Sequence, residues 1–259
     1  KMKEQKTYYY SDELNDEFSE AKIEARVIDE NYKYLHKNIF WNLAHFLVQN
    51  VLSVPLKVLY AKLKFRIKFV GKEKLKKYKK QGYFIYANHT QALADTFLTS
   101  NVVYPKRNYI IVNPENVSMK FLGNFVQMFG AIPIPNKKEG MKNFLEAIKY
   151  HISKGQSITI YPEAHIWPYY TKIRPFKNVS FRYPIELETP TFCITNTYQK
   201  RGKNKVKITS YIDGPFWADS KLTSIKEKKQ DLRDKVYNQM VERSKNSNFE
   251  YIKYEKKES

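Results

Sequence analysis

Short apolar runs and longer amphipathic stretches alternate along most of the chain. From Phe65 to Gly71, Phe65, Ile67 and Phe69 alternate with Arg66 and Lys68, the two-residue period of a strand. Tyr83–Tyr86, Tyr109–Val112, Ser157–Tyr161, Thr191–Ile194 and 205–212 read as further strands. Ala131-Ile132-Pro133-Ile134-Pro135 is extended, and its prolines suit a sheet edge. Between these runs the spacing predicts helices from about Ala92 to Val103 and over Ser118–Phe129, the latter with Phe121, Leu122, Phe125, Val126 and Phe129 on one side. Another runs from Phe144 to Ile152 on Phe144, Leu145, Ile148 and Ile152, with Gly155 as its stop. Lys72–Gln81 is a basic surface helix or loop, residues 136–140 are a turn, and Leu222–Val241 is a charged helix. Strand–helix alternation at this spacing predicts an α/β fold with a mostly parallel central sheet flanked by helices.

The two ends differ from this middle. Residues 1–35 are polar, with a helix expected from about Asp12 behind the cap candidates Ser11 and Asp12. Lys1–Glu30 lacks the basic, apolar and cleavage regions of a signal peptide. From Ile39 to Leu56 there is no charged residue, yet Asn42, His45, Gln49 and Ser53 recur at helical spacing amid Phe40, Trp41, Leu43, Phe46, Leu47, Val51, Leu52 and Val54. Polar interruptions and Pro55 argue against a bilayer span. A polar stripe, a wide apolar face and basic residues following at Lys57, Lys62, Lys64, Arg66 and Lys68 predict an amphipathic, membrane-docking helical segment; a buried core helix is the alternative. The expected division is 1–64 as this N-terminal segment, 65–215 as the α/β core, and 216–259 as a C-terminal helix and irregular tail.

Charge narrows the partners. A formal net charge of +20 over 259 residues calls for an anionic one: membrane surface, nucleic acid, or acidic protein or phosphorylated substrate. Cys193 is the single cysteine, which excludes an intrachain disulfide and suits a reducing compartment.

The candidate chemistry lies at two strand ends. Tyr83–Tyr86 runs into Ala87-Asn88-His89 and, after five intervening residues, Asp95; Ser157–Tyr161 runs into Pro162-Glu163-Ala164-His165. In a parallel sheet both ends fall on one edge, where ligands bind in open α/β folds, so His89, Asp95, Glu163 and His165 can converge. An aspartate on one imidazole nitrogen leaves the other free as a base.

These residues resemble a known family. Asn88-His89…Asp95, Gly130-Ala131-Ile132-Pro133-Ile134-Pro135 and Tyr161-Pro162-Glu163 are similar to the first three motifs of the glycerolipid acyltransferases of the lysophosphatidic acid acyltransferase (PlsC-like) type. Those motifs read Asn-His-x4-Asp, Gly-x2-Phe-Ile-Asp-Arg and Phe-Pro-Glu-Gly-Thr-Arg. Phe176-Lys177-Asn178 and Pro190 also fit the family pattern, and the resemblance covers roughly residues 65–215. The N-terminal helix resembles the family's membrane-docking helices.

The resemblance implies acyl transfer from acyl-CoA or an acyl carrier protein thioester to a lysophospholipid hydroxyl, most simply that of 1-acylglycerol-3-phosphate, giving phosphatidic acid. His89 would be the general base and Asp95 its orienting partner. No metal, cofactor or serine nucleophile is implied, and no nucleic-acid partner. The implied place is the cytoplasmic face of the membrane, peripheral or monotopic. Asn88 is assigned to substrate binding. Glu163 either binds acceptor hydroxyls or holds local structure, and His165 either contacts phosphate or is a satisfied polar group.

Two departures stand out. Five residues rather than four separate His89 from Asp95, and on a continuous helix one extra residue turns the aspartate by about 100°; the turn before the helix must absorb it. The arginines of the second and third motifs are missing, so phosphate binding falls to Arg174, Lys177, Lys137 or Lys138. A metal hydrolase using His89, Asp95, Glu163 and His165 and a basic nucleic-acid- or lipid-binding module are the competing readings; the chain has neither a short metal-ligand spacing nor a recognised nucleic-acid motif.

Overall fold

The computed structural model describes residues 5–18, 24–36, 38–91, 94–118, 123–203 and 205–258. Nine strands in chain order are β1 (Lys6–Tyr10), β2 (Lys68–Val70), β3 (Tyr83–Ala87), β4 (Asn108–Val112), β5 (Ala131–Pro133), β6 (Ser157–Ile160), β7 (Thr191–Arg201), β8 (Lys205–Phe216) and β9 (Ile252–Lys256). Seven form one sheet in the order β2-β8-β7-β3-β6-β4-β5. Every neighbouring pair is parallel except the hairpin β7–β8. The proline-bearing β5 takes an edge, where a missing N–H costs no ladder bond.

The sheet is α/β because its strands are buried on both faces. Every residue of β3 and β6 is buried. The helices are α1 (Ile39–Phe46), α2 (Ser53–Phe65), α3 (Ala94–Val103), α4 (Gly123–Met128), α5 (Met141–Ser153), α6 (Arg182–Glu186) and α7 (Ile225–Ser244). One core cluster joins Phe84, Tyr86 and Ile158 of the sheet to Phe144 and Ile148 of α5 and Leu232, Val236 and Met240 of α7. Ser224 caps α7 by accepting the Glu227 amide N–H at 3.1 Å, and its hydroxyl donates to Glu227 Oε2 at 2.7 Å.

Three expectations change. No helix follows Asp12 among the described residues: Asp16 Oδ2 accepts the Ser11 and Asp12 amides at 2.6 and 3.1 Å, closing a turn that competes with helix. The tail is not irregular throughout, because β9 pairs in parallel with β1 as a separate two-stranded sheet. The edge strand of the core begins at Lys68, since Phe65 still belongs to α2. Phe121, Leu122 and Ala92 lie outside the described residues, as do the side chains of Phe125, Lys57 and Lys62.

α1 and α2 form one helical stretch through a π-helical segment, Leu47–Leu52, where the Ser53 amide reaches the Val48 carbonyl. Pro55 follows within α2; it has no N–H and its ring crowds the carbonyl four residues back, so the wider turns precede it. Three of the four polar-stripe residues, His45, Gln49 and Ser53, point inward, while Asn42 is exposed. Gln49 donates to the carbonyls of Asn108 (3.0 Å) and Phe129 (3.3 Å), and its side-chain oxygen meets His45 Nε2 at 3.2 Å. The apolar face points out: Phe40 is 78% and Leu63 69% exposed, with Ile39, Leu43, Leu52 and Leu59 more than half exposed between them. Among the described residues no helix is long and apolar enough to cross a membrane.

Candidate active site

β3 and β6 are neighbours, with Tyr86 opposite Ile160, so the segments after them leave the same sheet edge. His89 Nδ1 lies 2.9 Å from Asp95 Oδ2. α3 is described from Ala94, with Asp95 in its first turn, and the turn expected to absorb the additional residue includes positions 92 and 93, outside the described residues. Asp95 Oδ2 also accepts the amides of Thr90 and Gln91, each at 2.8 Å. A carboxylate is an acceptor only, so its partner Nδ1 carries the hydrogen and Nε2 keeps its lone pair. That Nε2 has no protein partner among the described residues. The His89 side chain is 17% exposed and that of Asp95 0%.

The ring is held from several sides. Tyr161, at the end of β6, stacks on it with centroids 4.4 Å apart and planes 23° from parallel. Glu163 accepts the His89 amide on Oε2 (3.0 Å) and the Arg174 amide on Oε1 (2.9 Å). The amides of Trp167 and Tyr169 bond the carbonyls of His89 and Thr90 at 3.1 and 3.0 Å, so the segment after Glu163 pairs with the histidine turn. Ala164, in the family's glycine position, adopts φ 63°, a left-handed conformation that glycine reaches without a Cβ clash.

Several substrate candidates are buried and bonded to the main chain. Asn88 is buried, its amide exchanged with the Asn196 main chain: Nδ2 donates to Asn196 O (3.0 Å) and Oδ1 accepts Asn196 N–H (2.8 Å). Glu163 is 4% exposed, and burial pushes its pKa up despite Arg174 nearby. Both of its carboxylate oxygens accept main-chain amides. Arg174, a candidate for phosphate, is 1% exposed, stacks on Trp167, and donates to the carbonyls of Glu13, Glu163 and His165. Its guanidinium approaches the Glu163 carboxylate at 3.7 Å.

His165 Nδ1 lies 3.5 Å from Glu17 Oε2. Lys137, Lys138 and Lys177 are exposed and make no contact with His89 or Asp95. Among the described residues no group of three or more His, Cys, Asp or Glu side chains is arranged to hold a metal ion.

Sequence reasoning missed Asn196, Tyr198 and the role of Tyr161. Asn196 Nδ2 reaches Asp95 Oδ1 at 3.3 Å, and Ser210 donates to Asn196 Oδ1 at 2.6 Å. Tyr198 donates to Thr90 Oγ1 at 2.7 Å and accepts from Gln91. A signal was present, because Asn196 is an amide inside the otherwise apolar or hydroxyl-bearing run 191–198, and a buried amide demands partners.

Comparison with known proteins bears on the family and the fold. A family model described as Acyltransferase matches residues 66–196, just over half of the chain. No curated protein matches. Among solved structures, the crystal structure of the 1-acyl-sn-glycerophosphate (LPA) acyltransferase PlsC from Thermotoga maritima is similar with a TM-score of 0.53 and 15% identity, over 80% of this chain and 88% of that one. At that identity the likeness concerns the fold, an α/β fold with a mostly parallel sheet.

Proposed function

Since this chain belongs to the acyltransferase family, we propose that it moves a fatty acyl group from a thioester to a hydroxyl of a glycerolipid, with His89 as general base. The observation that carries the reading is the 2.9 Å contact between His89 Nδ1 and a buried Asp95, with Nε2 left free. His89 Nε2 takes the proton of the acceptor hydroxyl as its oxygen attacks the thioester carbonyl. The tetrahedral adduct collapses, the C–S bond breaks, and the thiolate leaves with the proton from His89. Asp95 keeps the ring in the required tautomer and stabilises the transient imidazolium, as the acid of a catalytic triad does. General-base catalysis of this kind is worth about 10²–10⁴-fold.

The acceptor we favour is 1-acylglycerol-3-phosphate, the product being phosphatidic acid, with acyl-CoA or acyl carrier protein as donor. Arg174 being buried, the exposed Lys137, Lys138 and Lys177 are the remaining candidates for its phosphate. A different lysolipid or a glycolipid is the second reading, favoured by Ala164-His165-Ile166 standing where the family carries Gly-Thr-Arg. The exposed apolar face of α1–α2 supports peripheral or monotopic attachment to the membrane; the cytoplasmic side is part of the same proposal.

The test is acyl transfer to 1-acylglycerol-3-phosphate from both donors. Wild type is expected to be active and folded His89→Ala to lose at least 100-fold. Undiminished transfer by His89→Ala overturns the mechanism; no wild-type transfer to this acceptor, with transfer to another lysolipid, selects the second reading.

A further inference from the structure

One cavity among the described residues lies away from His89. It has a volume of about 810 Å³ and is lined where β3, β4 and β6 begin, by Tyr83, Arg107 and Gln156 among others. His89 follows the far end of β3, a strand of five residues, roughly 17 Å long at about 3.3 Å per residue. The two sites therefore open on opposite edges of the sheet.

The cavity's chemistry is that of an amphiphile's binding site. Of seventeen lining residues, seven are Lys or Arg and only Glu73 is acidic. Lys76, Lys79 and Lys80 are exposed and carry no ion pair among the described residues. Lys106 is a fixed part of the wall: its ammonium donates to the carbonyls of Tyr78, Gln81 and Gly155. The floor is apolar, with Leu75, Tyr83 and Val102 buried.

Phe46 connects this groove to the outer face of the helix. It lines the cavity, the Arg107 guanidinium lies 5.7 Å from its ring centroid, and it is 43% exposed beside Leu43 and Leu47. A soluble anion would occupy the cations and leave that apolar surface in water. A lipid satisfies both, with its head among the lysines and its chains along the helix.

We infer that this groove binds the head group of an anionic phospholipid that is not the substrate, and so orients the protein on acidic membranes. The inference rests on the membrane-facing reading of α1–α2. Each basic side chain near an anionic surface adds about 1 kcal/mol, roughly fivefold in binding.

The experiment is co-sedimentation with vesicles of phosphatidylcholine alone and of phosphatidylcholine mixed with phosphatidylglycerol. Three proteins are compared: wild type, a variant combining Lys76→Glu, Lys79→Glu and Lys80→Glu, and a control combining Lys221→Glu, Lys226→Glu and Lys257→Glu. All six positions are exposed, so the folds are expected to survive, which circular dichroism checks. The expected result is a wild-type preference for the mixed vesicles that falls at least tenfold in the groove variant and much less in the control. A preference that survives in the groove variant, or falls equally in both, overturns the site. Wild type that sediments with neither vesicle overturns the membrane reading as well. Calorimetric binding of glycerol 3-phosphate that disappears in the groove variant while its vesicle preference persists assigns the groove to a soluble phosphate and also overturns the proposal.

Discussion

α5 and the α1–α2 stretch are both amphipathic helices, and they bury opposite faces. α5 turns Phe144, Ala147, Ile148 and Ile152 into the core and leaves Lys142 and Glu146 in water. α1–α2 turns His45, Gln49 and Ser53 inward and leaves Phe40, Leu43, Leu52 and Leu63 outside. Periodicity says only that a helix has two faces. Which face meets the protein depends on what the protein offers: against α1–α2 it offers the carbonyls of Asn108 and Phe129 at the sheet edge, which need donors. An apolar face left outside in this way is the mark of a surface meant for something other than water.

The comparison can be broken most forcefully at α5. Phe144→Ala removes a ring with 0% exposure and is expected to cost about 3–5 kcal/mol in chemical denaturation. A loss under about 1 kcal/mol would mean that α5 does not hold the core.

The two helices also meet through Tyr109, which stacks on His151 of α5 with centroids 3.6 Å apart and lies 5.9 Å from His45 of α1. Burial lowers the pKa of His45 to about 4 and of His151 to about 3. Both are neutral in the fold, whereas the unfolded chain takes up protons below about pH 6.5. Their contribution is therefore complete above pH 6.5 and is lost as pH falls toward 4 and then 3. By pH 5 the loss is about 2 kcal/mol for each histidine. Denaturation at several pH values should show this slope, and His151→Phe should reduce it by about half; a slope unchanged in that variant would place the proton uptake elsewhere.

Gln49→Leu tests the inward polar stripe. It leaves the Asn108 and Phe129 carbonyls without their donor and is expected to destabilise by about 1–3 kcal/mol, although it adds apolar surface. A more stable variant would show that the stripe faces inward by accident. The smallest stability effect belongs to Phe40→Ser, within about 0.5 kcal/mol at a position 78% exposed. The same change should weaken vesicle binding, the readout that separates a lipid-facing surface from an idle one.

Much of the site was legible because its residues lie directly after strands. Tyr83–Ala87 and Ser157–Ile160 are continuous buried runs, and their parallel pairing delivers the two succeeding segments to one edge. His89 and Asp95 could therefore be paired from the sequence, and their side chains meet despite the unusual spacing. Asn88, Glu163 and Arg174 were recognisable as important, but not as buried braces. Their roles depend on Asn196, Trp167 and Glu13, partners distant in the chain that no local pattern announces. The β1–β9 pairing escaped for the same reason, since two strands separated by nearly the whole chain must find each other.

By itself the sequence determined the strand–helix alternation, the basic character and the order of chemistry-bearing residues at the strand ends. These arise from local period, residue type and covalent order. Tertiary structure decided which face of the N-terminal helix is buried, which charged groups are spent on internal carbonyls, and where the unpaired lysines gather. Those outcomes turn on which donor meets which acceptor once water is excluded, and that is settled only when distant segments pack together.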